Sequence, residues 1–186
     1  MSLIPVPDRM LDSIYDLSPS DLTERGIRFV ILDIDNTVAP YTVHAADERM
    51  IAWIRGLRDA GLELFVLSNN RGDRPERFSA ALGLPFRKKA WKPFTKAAKQ
   101  VMAERGYAPR ETAFLGDQIY TDVCCAKWCG AYAVLVHPIE FNRFILRFRY
   151  WLEWPFRSAA KRRGGTRDTP PQPPCGDSFP SGGSHL

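Results

Sequence analysis

The chain has 186 residues, a net charge of +5 at pH 7 and an apolar share of 45%. This length fits one domain of ordinary size with some trailing residues, and the apolar share is sufficient for a hydrophobic core. The N-terminal residues lack a basic start followed by a long apolar run, and no uncharged stretch is long enough to span a bilayer. The sequence therefore predicts a cytoplasmic protein, and its positive charge favours anionic partners.

Strand-like and helix-like segments alternate along the chain. Apolar runs predict strands at residues 28–32, 63–67, 112–115 and 132–136, with a shorter candidate at 86–90. Between them, apolar residues recur with the 3.6-residue period of a helix, and glycines follow the helical segments, where left-handed caps occur. This βα repetition predicts an α/β fold, in which a parallel sheet lies between two layers of helices as a Rossmannoid three-layer sandwich.

The segment FVILDIDNTVA, residues 29–39, is the most informative stretch of the chain. Its apolar run ends abruptly in Asp33, and Asp35 follows two positions later; unpaired carboxylates are costly to bury. If the strand continues through Asp35, both carboxylates point to one place past its carboxyl end, where α/β sheets bind ligands. Two such acids attract a cation, share a proton, or do both. The following Asn36 and Thr37 are predicted to fix the turn rather than to react.

Three later segments also carry polar side chains at the ends of apolar runs or before a helical pattern. The run ELFVLSNN contains Ser68 and Asn69, AWKPF offers Lys92, and TAFLGDQIYTDV contains Asp117 and a further acid, Asp122. Taken singly, each has a plain explanation, such as a turn serine, a solvated lysine or an acid at a helix N-terminus. In this order, each on its own βα unit, the motifs are far more specific than any one of them.

The order Asp-x-Asp, Ser, Lys and Gly-Asp-x4-Asp resembles the haloacid dehalogenase (HAD) superfamily of phosphatases. The resemblance implies that Asp33 is the nucleophile, which forms an aspartyl-phosphate, and that Asp35 acts as general acid and then as general base. It also implies a Mg²⁺ cofactor held by the side chains of Asp33 and Asp117 and by the backbone carbonyl of Asp35. Hard oxygen ligands suit Mg²⁺, and a divalent cation reduces the repulsion between a carboxylate nucleophile and a phosphate dianion.

The same resemblance implies roles for the remaining motif residues. Ser68 would donate a hydrogen bond to a phosphoryl oxygen, with the following backbone N–H groups, beginning at Asn69, assisting it. Lys92 would neutralise the charge of the phosphate and of the nucleophile. Asp122 would orient Lys92 or a water molecule on the metal.

The insertion points at which HAD enzymes carry cap domains are short in this chain. Residues 38–63 have room for a flap and one helix, and residues 71–91 have room for one helix and one strand, so no large cap domain is predicted. The resulting open site suits substrates that are large or anchored to something large. Segments LDIDNTVAPY, LSNN, WKP and GDQIYTDV, with the lead IYDLSPSDLTERGIRFV, resemble the YqeG-like branch of subclass IIIA. That branch is related to mitochondrial phosphatidylglycerophosphate phosphatases, so a phospholipid headgroup is the implied substrate.

Two other functions remain open at this point. One is a phosphatase of soluble metabolites or of a phosphoprotein, and activity on lipid micelles against small esters separates it from a lipid phosphatase. The other is a non-catalytic nucleic-acid or ribosome-binding protein that uses the basic C-terminal residues. The intact set of four motifs argues against a loss of catalysis, and therefore against nucleic acid as the partner.

The sequence predicts four regions: an N-terminal lead at 1–28, the catalytic core at 29–138, an amphipathic basic helix at 139–163 and a disordered Gly, Pro and Ser-rich tail at 164–186. On a helical wheel the third region forms an apolar arc about 120° wide. The residues of this arc are Phe141, Phe144, Ile145, Phe148, Trp151 and Leu152, and Pro155 is predicted to end the helical pattern. Such a helix packs on the sheet, or it lies on an anionic membrane and makes the protein peripheral on the inner face.

The four cysteines do not have the spacing of zinc ligands. Cys124, Cys125 and Cys129 follow the GDQIYTDV motif and are predicted to be small apolar side chains between a helix and the sheet. The fourth, Cys175, lies in the predicted tail.

Overall fold

A six-stranded parallel sheet forms the centre of the computed structural model, which describes residues 6–43, 45–140 and 153–159. The strands are β1 (Arg9–Leu11), β2 (Phe29–Leu32), β3 (Glu63–Leu67), β4 (Phe86–Arg87), β5 (Thr112–Gly116) and β6 (Tyr132–Val136). Their order in the sheet is β1-β6-β5-β2-β3-β4, and every neighbouring pair is parallel. The predicted α/β class is confirmed, and β2, β3, β5 and β6 lie where the apolar runs placed strands.

Helices cover both faces of the sheet. They are α1 (Pro19–Thr23), α2 (Glu48–Asp59), α3 (Arg74–Leu82), α4 (Lys96–Arg105) and α5 (Cys124–Cys129). Leu57 of α2 packs in the core on one face together with Val30 of β2, whereas Val101 of α4 packs on the other face with Ile31 of β2. Because both faces of each central strand are buried, these strands appear in the sequence as continuous apolar runs rather than alternating ones.

The two insertion points contain little beyond single elements. Residues 45–62 contain α2, and residues 71–91 contain α3 and the short strand β4. All four glycines that follow helical segments have positive φ angles, as predicted. Gly83, Gly106 and Gly130 end α3, α4 and α5 with φ angles of 63°, 76° and 82°, and Gly61 follows α2 with a φ angle of 84°. Within the described residues, the carboxyl edge of the sheet carries loops and no additional domain, in agreement with the absence of a large cap.

The N-terminal segment contributes a strand that the sequence did not predict. Arg9–Leu11 forms β1 and pairs with Val134, Leu135 and Val136 of β6. The side chain of Asp8 accepts a hydrogen bond from the backbone N–H of Ala133 at 2.8 Å and forms an ion pair with Lys127. Three residues are too few to show a periodic pattern, so the strand becomes visible only through its partner.

The turn after β2 differs from the geometry expected for two carboxylates on one strand. β2 ends at Leu32 instead of continuing through Asp35, and the backbone N–H of Asn36 donates to the carbonyl of Ala39 at 2.8 Å. Asn36 has a φ angle of +65°, in the left-handed region that asparagine tolerates better than most residues. Asn36 therefore fixes this turn, as predicted, and the turn aims Asp33 and Asp35 at different partners.

The C-terminal region is described only at residues 139–140 and 153–159, and the latter are helical. Residues 156–159, beyond Pro155, are helical too, so the prediction that Pro155 ends the helical pattern is wrong. The predicted apolar arc at 141–152 and the predicted tail at 164–186 lie outside the described residues.

Three cysteines behave as predicted. Cys124, Cys125 and Cys129 are buried and form no disulfide, and two of them, Cys125 and Cys129, lie in the core between α5 and the sheet. Cys175 lies outside the described residues. No helix within the described parts of the chain combines the length and the apolar character needed to cross a bilayer.

Candidate active site

The predicted site residues gather at the carboxyl edge of the sheet, on the loops that follow β2, β3, β4 and β5. Asp33 and Asp35 follow β2, Ser68 and Asn69 follow β3, Lys92 follows β4, and Asp117 and Asp122 follow β5. All of them except Asn69 are buried, with 8% exposure or less. Six buried polar side chains at one sheet edge demand partners, because an unpaired buried charge is costly.

Lys92 is the centre of the first group of contacts. Its Nζ donates hydrogen bonds to Asp33 Oδ1 at 2.7 Å and to Asp122 Oδ1 at 2.6 Å. Asn69 holds the lysine backbone in place, because its side chain accepts from Lys92 N at 2.7 Å and donates to Lys92 O at 2.9 Å. We call Asp33, Lys92 and Asp122 the Lys92 cluster.

Asp122 reaches this cluster through an unusual turn. It lies in a π-helical turn, Ile119–Val123, which leads directly into α5, and such turns are frequent at functional sites. The second carboxylate oxygen, Oδ2, accepts from the backbone N–H of Gln118 at 3.2 Å. A Cβ atom on Gly116 would lie 2.3 Å from Asp122 Cγ, so only glycine leaves room for the carboxylate. This explains the glycine of the Gly-Asp motif.

The electrostatics of the Lys92 cluster set the protonation of its members. Burial, with smaller contributions from Asp122 and Asp35, raises the pKa of Asp33 to about 7, although Lys92 opposes the increase. Burial alone lowers the pKa of Lys92, but Asp122 and Asp33 outweigh burial and raise the pKa above its ordinary value. Lys92 is therefore a permanent cation, and near neutral pH Asp33 exists in both protonation states in the metal-free protein.

Asp35 belongs to a second group of contacts. Arg74 Nε donates to Asp35 Oδ1 at 2.6 Å, and Asn70 Nδ2 donates to Asp35 Oδ2 at 2.8 Å. Both oxygen atoms of the Asp35 carboxylate therefore accept hydrogen bonds. We call Asp35, Asn70 and Arg74 the Arg74 cluster. The sequence analysis assigned no role to Asn70 or Arg74, although Asn70 stands in the LSNN segment beside Ser68.

Arg74 also binds the flap, residues 39–43. Its guanidinium donates to the carbonyl of Pro40 at 2.7 Å and to the carbonyl of Val43. The arginine is only 8% exposed, although it is the first residue of α3. One side chain therefore joins the Asp35 carboxylate to the backbone of the flap, which no sequence pattern indicated because the partners are backbone carbonyls.

Ser68 lies at the bottom of the loop after β3. It is 1% exposed, and its hydroxyl oxygen accepts a hydrogen bond from the backbone N–H of Asn70 at 3.0 Å. The hydroxyl hydrogen is then available to donate to another group.

Asp117 is oriented by the turn after β2. Asn36 Nδ2 and Thr37 Oγ1 donate to its two carboxylate oxygens, each at 3.4 Å. Asn36 also accepts from the backbone N–H of Glu140 at 2.7 Å. The two residues that the sequence analysis assigned to the turn therefore also position the acid of the Gly-Asp motif.

The site fits a divalent cation by charge and by donor type. At least three of its four carboxylates have a cationic partner among the described residues, because Asp35 pairs with Arg74, and Asp33 and Asp122 both pair with Lys92. Asp117 accepts hydrogen bonds from an amide and a hydroxyl. Among these described groups the four acids outnumber the two cations, which favours the binding of a cation.

The set of side chains is small for a metal site. Among the described residues, no three acidic, histidine or cysteine side chains gather around one point. A hard cation that keeps several waters and uses two carboxylates with one backbone carbonyl is compatible with this arrangement.

The C-terminal helical segment 153–159 supports the loop after β5 from beneath. Arg157 Nη2 donates to the carbonyl of Asp117 at 2.9 Å and to Glu153 Oε2 at 2.9 Å, and Glu153 Oε1 accepts from Ile119 N at 3.0 Å. Both charged side chains are 1% exposed. The sequence analysis assigned no role to Glu153 or Arg157, but the pair is buried against the backbone of the site. Its i, i+4 spacing was the available signal.

The strand-end acids, serine and lysine on a parallel sheet are the arrangement that the resemblance to HAD phosphatases predicted. Similarity to known phosphatases shows that the protein is a phosphoric monoester hydrolase. A model of the mitochondrial PGP phosphatase family matches residues 4–139. The probable phosphatase YqeG of Bacillus subtilis (strain 168) is 33% identical over 160 residues, which cover 86% of this chain and 93% of that protein. The chain belongs to the mitochondrial PGP phosphatase family.

Solved structures share the fold at low sequence identity. A hypothetical protein from Xanthomonas campestris has a TM-score of 0.50 at 20% identity, over 63% of this chain and 72% of its own. A cobalt-bound deoxy-D-mannose-octulosonate 8-phosphate phosphatase from Haemophilus influenzae has a TM-score of 0.49 at 22% identity, over 60% of this chain and 69% of its own.

Proposed function

We propose that the protein hydrolyses phosphate monoesters through an aspartyl-phosphate formed on Asp33. The observation that carries this proposal is the position of Lys92, whose ammonium group bonds Asp33 and Asp122 at the carboxyl edge of the sheet. A phosphate dianion repels a carboxylate nucleophile, and a fixed cation beside that carboxylate reduces the repulsion. Attack of Asp33 on phosphorus forms a new P–O bond and breaks the bond to the leaving oxygen.

Asp35 supplies and removes the protons of this reaction. In its protonated form it donates a proton to the leaving oxygen, and the resulting carboxylate then takes a proton from water as the water attacks phosphorus. This second step releases inorganic phosphate and returns Asp33 and Asp35 to their starting states. The hydrogen bonds from Arg74 and Asn70 support the second step, because they fix the direction of the ionised carboxylate that takes the proton from water.

The phosphoryl oxygens need donors as well. Ser68 is buried at the bottom of the loop after β3, and its hydroxyl hydrogen is directed by the bond that its oxygen accepts from Asn70 N. In the proposed complex Ser68 donates to one phosphoryl oxygen, and the backbone N–H of Asn69 assists. Asn69 also keeps Lys92 in place through its side chain.

Magnesium is the proposed cofactor. The side chains of Asp33 and Asp117 and the backbone carbonyl of Asp35 would hold it, and the excess of acids over cations among the described site residues supports a bound cation. When bound, the ion supplies positive charge to the phosphoryl group as its negative charge builds up. Asn36 and Thr37 prepare Asp117 for this role by fixing both of its oxygens.

Phosphatidylglycerophosphate at a membrane surface is the proposed substrate. The family to which the chain belongs supports this choice, and so does the open sheet edge, at which the insertions contain only α2, α3 and β4. A site without a cap domain admits a headgroup that remains attached to a leaflet.

Phosphate release tests the proposal. Purified protein is assayed on phosphatidylglycerophosphate in mixed micelles and on a panel of soluble phosphate esters, with Mg²⁺ and after exhaustive chelation. We expect Mg²⁺-dependent release that is much faster from the lipid, and circular dichroism unchanged by chelation. Faster release from a soluble ester would favour a metabolite phosphatase. Full turnover after chelation would contradict the magnesium assignment, and no release from any ester would contradict the proposed chemistry.

A further inference from the structure

Two aromatic side chains beside the active site face solvent. Trp91 and Phe94 are 59% and 70% exposed, the largest values among the exposed large apolar side chains of the described residues. They lie on either side of Lys92 in sequence, in the loop between β4 and α4 at the carboxyl edge of the sheet. Exposed apolar surface at such a position indicates an interaction site, because apolar area left in water is unfavourable.

The loop presents Trp91 on a fixed backbone. The neighbours of Trp91 on both sides, Ala90 and Lys92, are buried, and the backbone N–H of Ala90 donates to the carbonyl of Ser68 at 3.0 Å. Lys89 and Trp91 both have positive φ angles, of 56° and 58°, which are unfavourable for residues other than glycine. Backbone strain of this kind persists where it serves a function, so the exposure of Trp91 is a built feature of the loop.

Three basic residues lie near the two aromatic side chains. The guanidinium of Arg71 lies 4.6 Å from the centre of the Trp91 ring, and Lys89 and Lys96 are exposed. Trp91, Phe94 and the two lysines also line a surface groove of about 440 Å³ against α4. No acidic partner within the described residues bonds to Arg71, Lys89 or Lys96. The surface is therefore aromatic and positively charged.

We propose that Arg71, Lys89, Trp91, Phe94 and Lys96, which we call the β4-loop surface, dock on an anionic phospholipid bilayer. Tryptophan is enriched in the headgroup region of membranes because its ring is apolar and its N–H is polar. Basic residues are attracted to anionic leaflets. The surface thereby brings the mouth of the active site to the leaflet. This inference rests on the proposed lipid substrate, and it places the membrane contact on the catalytic core rather than on residues 139–163.

Co-sedimentation with vesicles measures this contact without measuring catalysis. Full-length protein is mixed with phosphatidylcholine vesicles, with or without phosphatidylglycerol. We expect binding to the anionic vesicles that weakens as salt is added. The variant Trp91→Ala/Phe94→Ala should bind about tenfold more weakly or worse. Trp128→Ala, which removes an exposed tryptophan from α5, is the matched control and should bind like the parent protein.

Charge variants separate the two components of the contact. Lys89→Gln/Lys96→Gln should lose about tenfold or more of the binding to anionic vesicles, since each basic residue near the surface contributes about a factor of five. Arg55→Gln/Arg110→Gln removes two exposed cations elsewhere and should have little effect beyond the change in net charge. Quenching by brominated lipid adds a direct readout, because Trp91→Phe should bind normally and lose most of the quenched fluorescence.

Hydrolysis of a soluble ester keeps the proposal distinct from the proposed function. The aromatic variant should hydrolyse the ester at the parent rate and keep its circular dichroism, so a loss of vesicle binding is not a loss of folding. If the parent protein binds vesicles but hydrolyses no ester, the proposed function is contradicted, whereas the proposed docking of the β4-loop surface is still supported. The proposal is overturned if the parent protein does not bind anionic vesicles. It is overturned as well if the aromatic variant binds them as tightly as the parent protein. It is also overturned if that variant turns a dimer into a monomer with vesicle binding unchanged.

Discussion

The Lys92 cluster and the Arg74 cluster hold the two acids of one Asp-x-Asp motif in different ways. The Lys92 cluster uses groups from the loops after β2, β4 and β5, which all lie at the carboxyl edge of the parallel sheet, so the sheet sets its geometry. The Arg74 cluster uses the first residue of α3, which also bonds the backbone of the flap. We infer that the acid proposed as nucleophile is fixed by the rigid sheet, whereas the acid proposed for proton transfer depends on a loop.

The variant Asp33→Asn tests the Lys92 cluster most severely. An amide does not attack phosphorus, so we expect phosphatase activity to fall at least about 10³-fold. Initial rates of phosphate release measure the loss, and Asp59→Asn, at an exposed position of α2, is the matched control. Activity above a few per cent of the parent value would remove Asp33 from the role of nucleophile.

The same variant should be more stable than the parent protein in the absence of metal. Because the folded-state pKa of Asp33 is raised to about 7, folding favours the protonated acid. The parent protein therefore loses stability as the pH rises from the unfolded value near 4 through 7. Asparagine carries no charge at any pH. We expect its advantage in urea unfolding to grow from pH 5 to pH 8, by a few kcal/mol at most, and an advantage that shrinks over this range would contradict the shift.

A single methyl group at Gly116 should damage the Lys92 cluster without changing a charge. The Cβ of Gly116→Ala would lie 2.3 Å from Asp122 Cγ, so Asp122 must move and Lys92 loses a partner. We expect a loss of about 2–4 kcal/mol in unfolding free energy, with activity reduced by about tenfold to a hundredfold. Gly56→Ala in α2 is the control, because nothing lies within 4 Å of its added Cβ. Equal effects of the two substitutions would contradict the packing argument.

The Arg74 cluster should respond to the shape of its cation. The variant Arg74→Lys keeps the positive charge. Its lysine cannot contact Asp35 and the flap carbonyls at the same time, since it lacks the planar fork of arginine. We expect kcat on a soluble ester to fall about tenfold, with KM little changed. Arg77→Lys, on the exposed side of α3, is the control. An unchanged kcat would show that Arg74 does not position Asp35 for the reaction.

The same contrast explains how far the sequence alone predicts the molecule. The central strands were predicted correctly, because long apolar runs leave a local signal. The motif residues Asp33, Ser68, Lys92 and Asp117 lie together at the carboxyl edge of the sheet. Their roles rest on the resemblance to HAD phosphatases and remain proposals. Arg74 was not found, because its partners are backbone carbonyls that any sequence would supply.

Other features depend on contacts between distant segments, which a local pattern does not record. β1 is recognisable only through its pairing with β6, and the burial of Glu153 and Arg157 depends on the backbone of the loop after β5. In a helical-wheel analysis, a charged pair four residues apart indicates a solvated face. Here Glu153 and Arg157 form hydrogen bonds to buried backbone groups instead. Charged side chains are buried where they have such partners.

The smallest predicted effect concerns a second set of contacts to the flap, made by Glu140. The Glu140 carboxylate accepts from Tyr41 N at 3.1 Å and from the hydroxyl of Thr42, while Arg74 bonds the flap carbonyls. Glu140→Gln keeps the shape of the side chain but replaces charge-assisted bonds by weaker neutral ones. We expect a loss of about threefold in kcat/KM, roughly 0.6 kcal/mol, and faster amide exchange in residues 39–43. Glu104→Gln, which removes a surface charge beside Arg87, should change neither quantity. If Glu140→Gln slows amide exchange or leaves it unchanged, the flap is held by Arg74 alone, and the Arg74 cluster does not extend to the C-terminal segment.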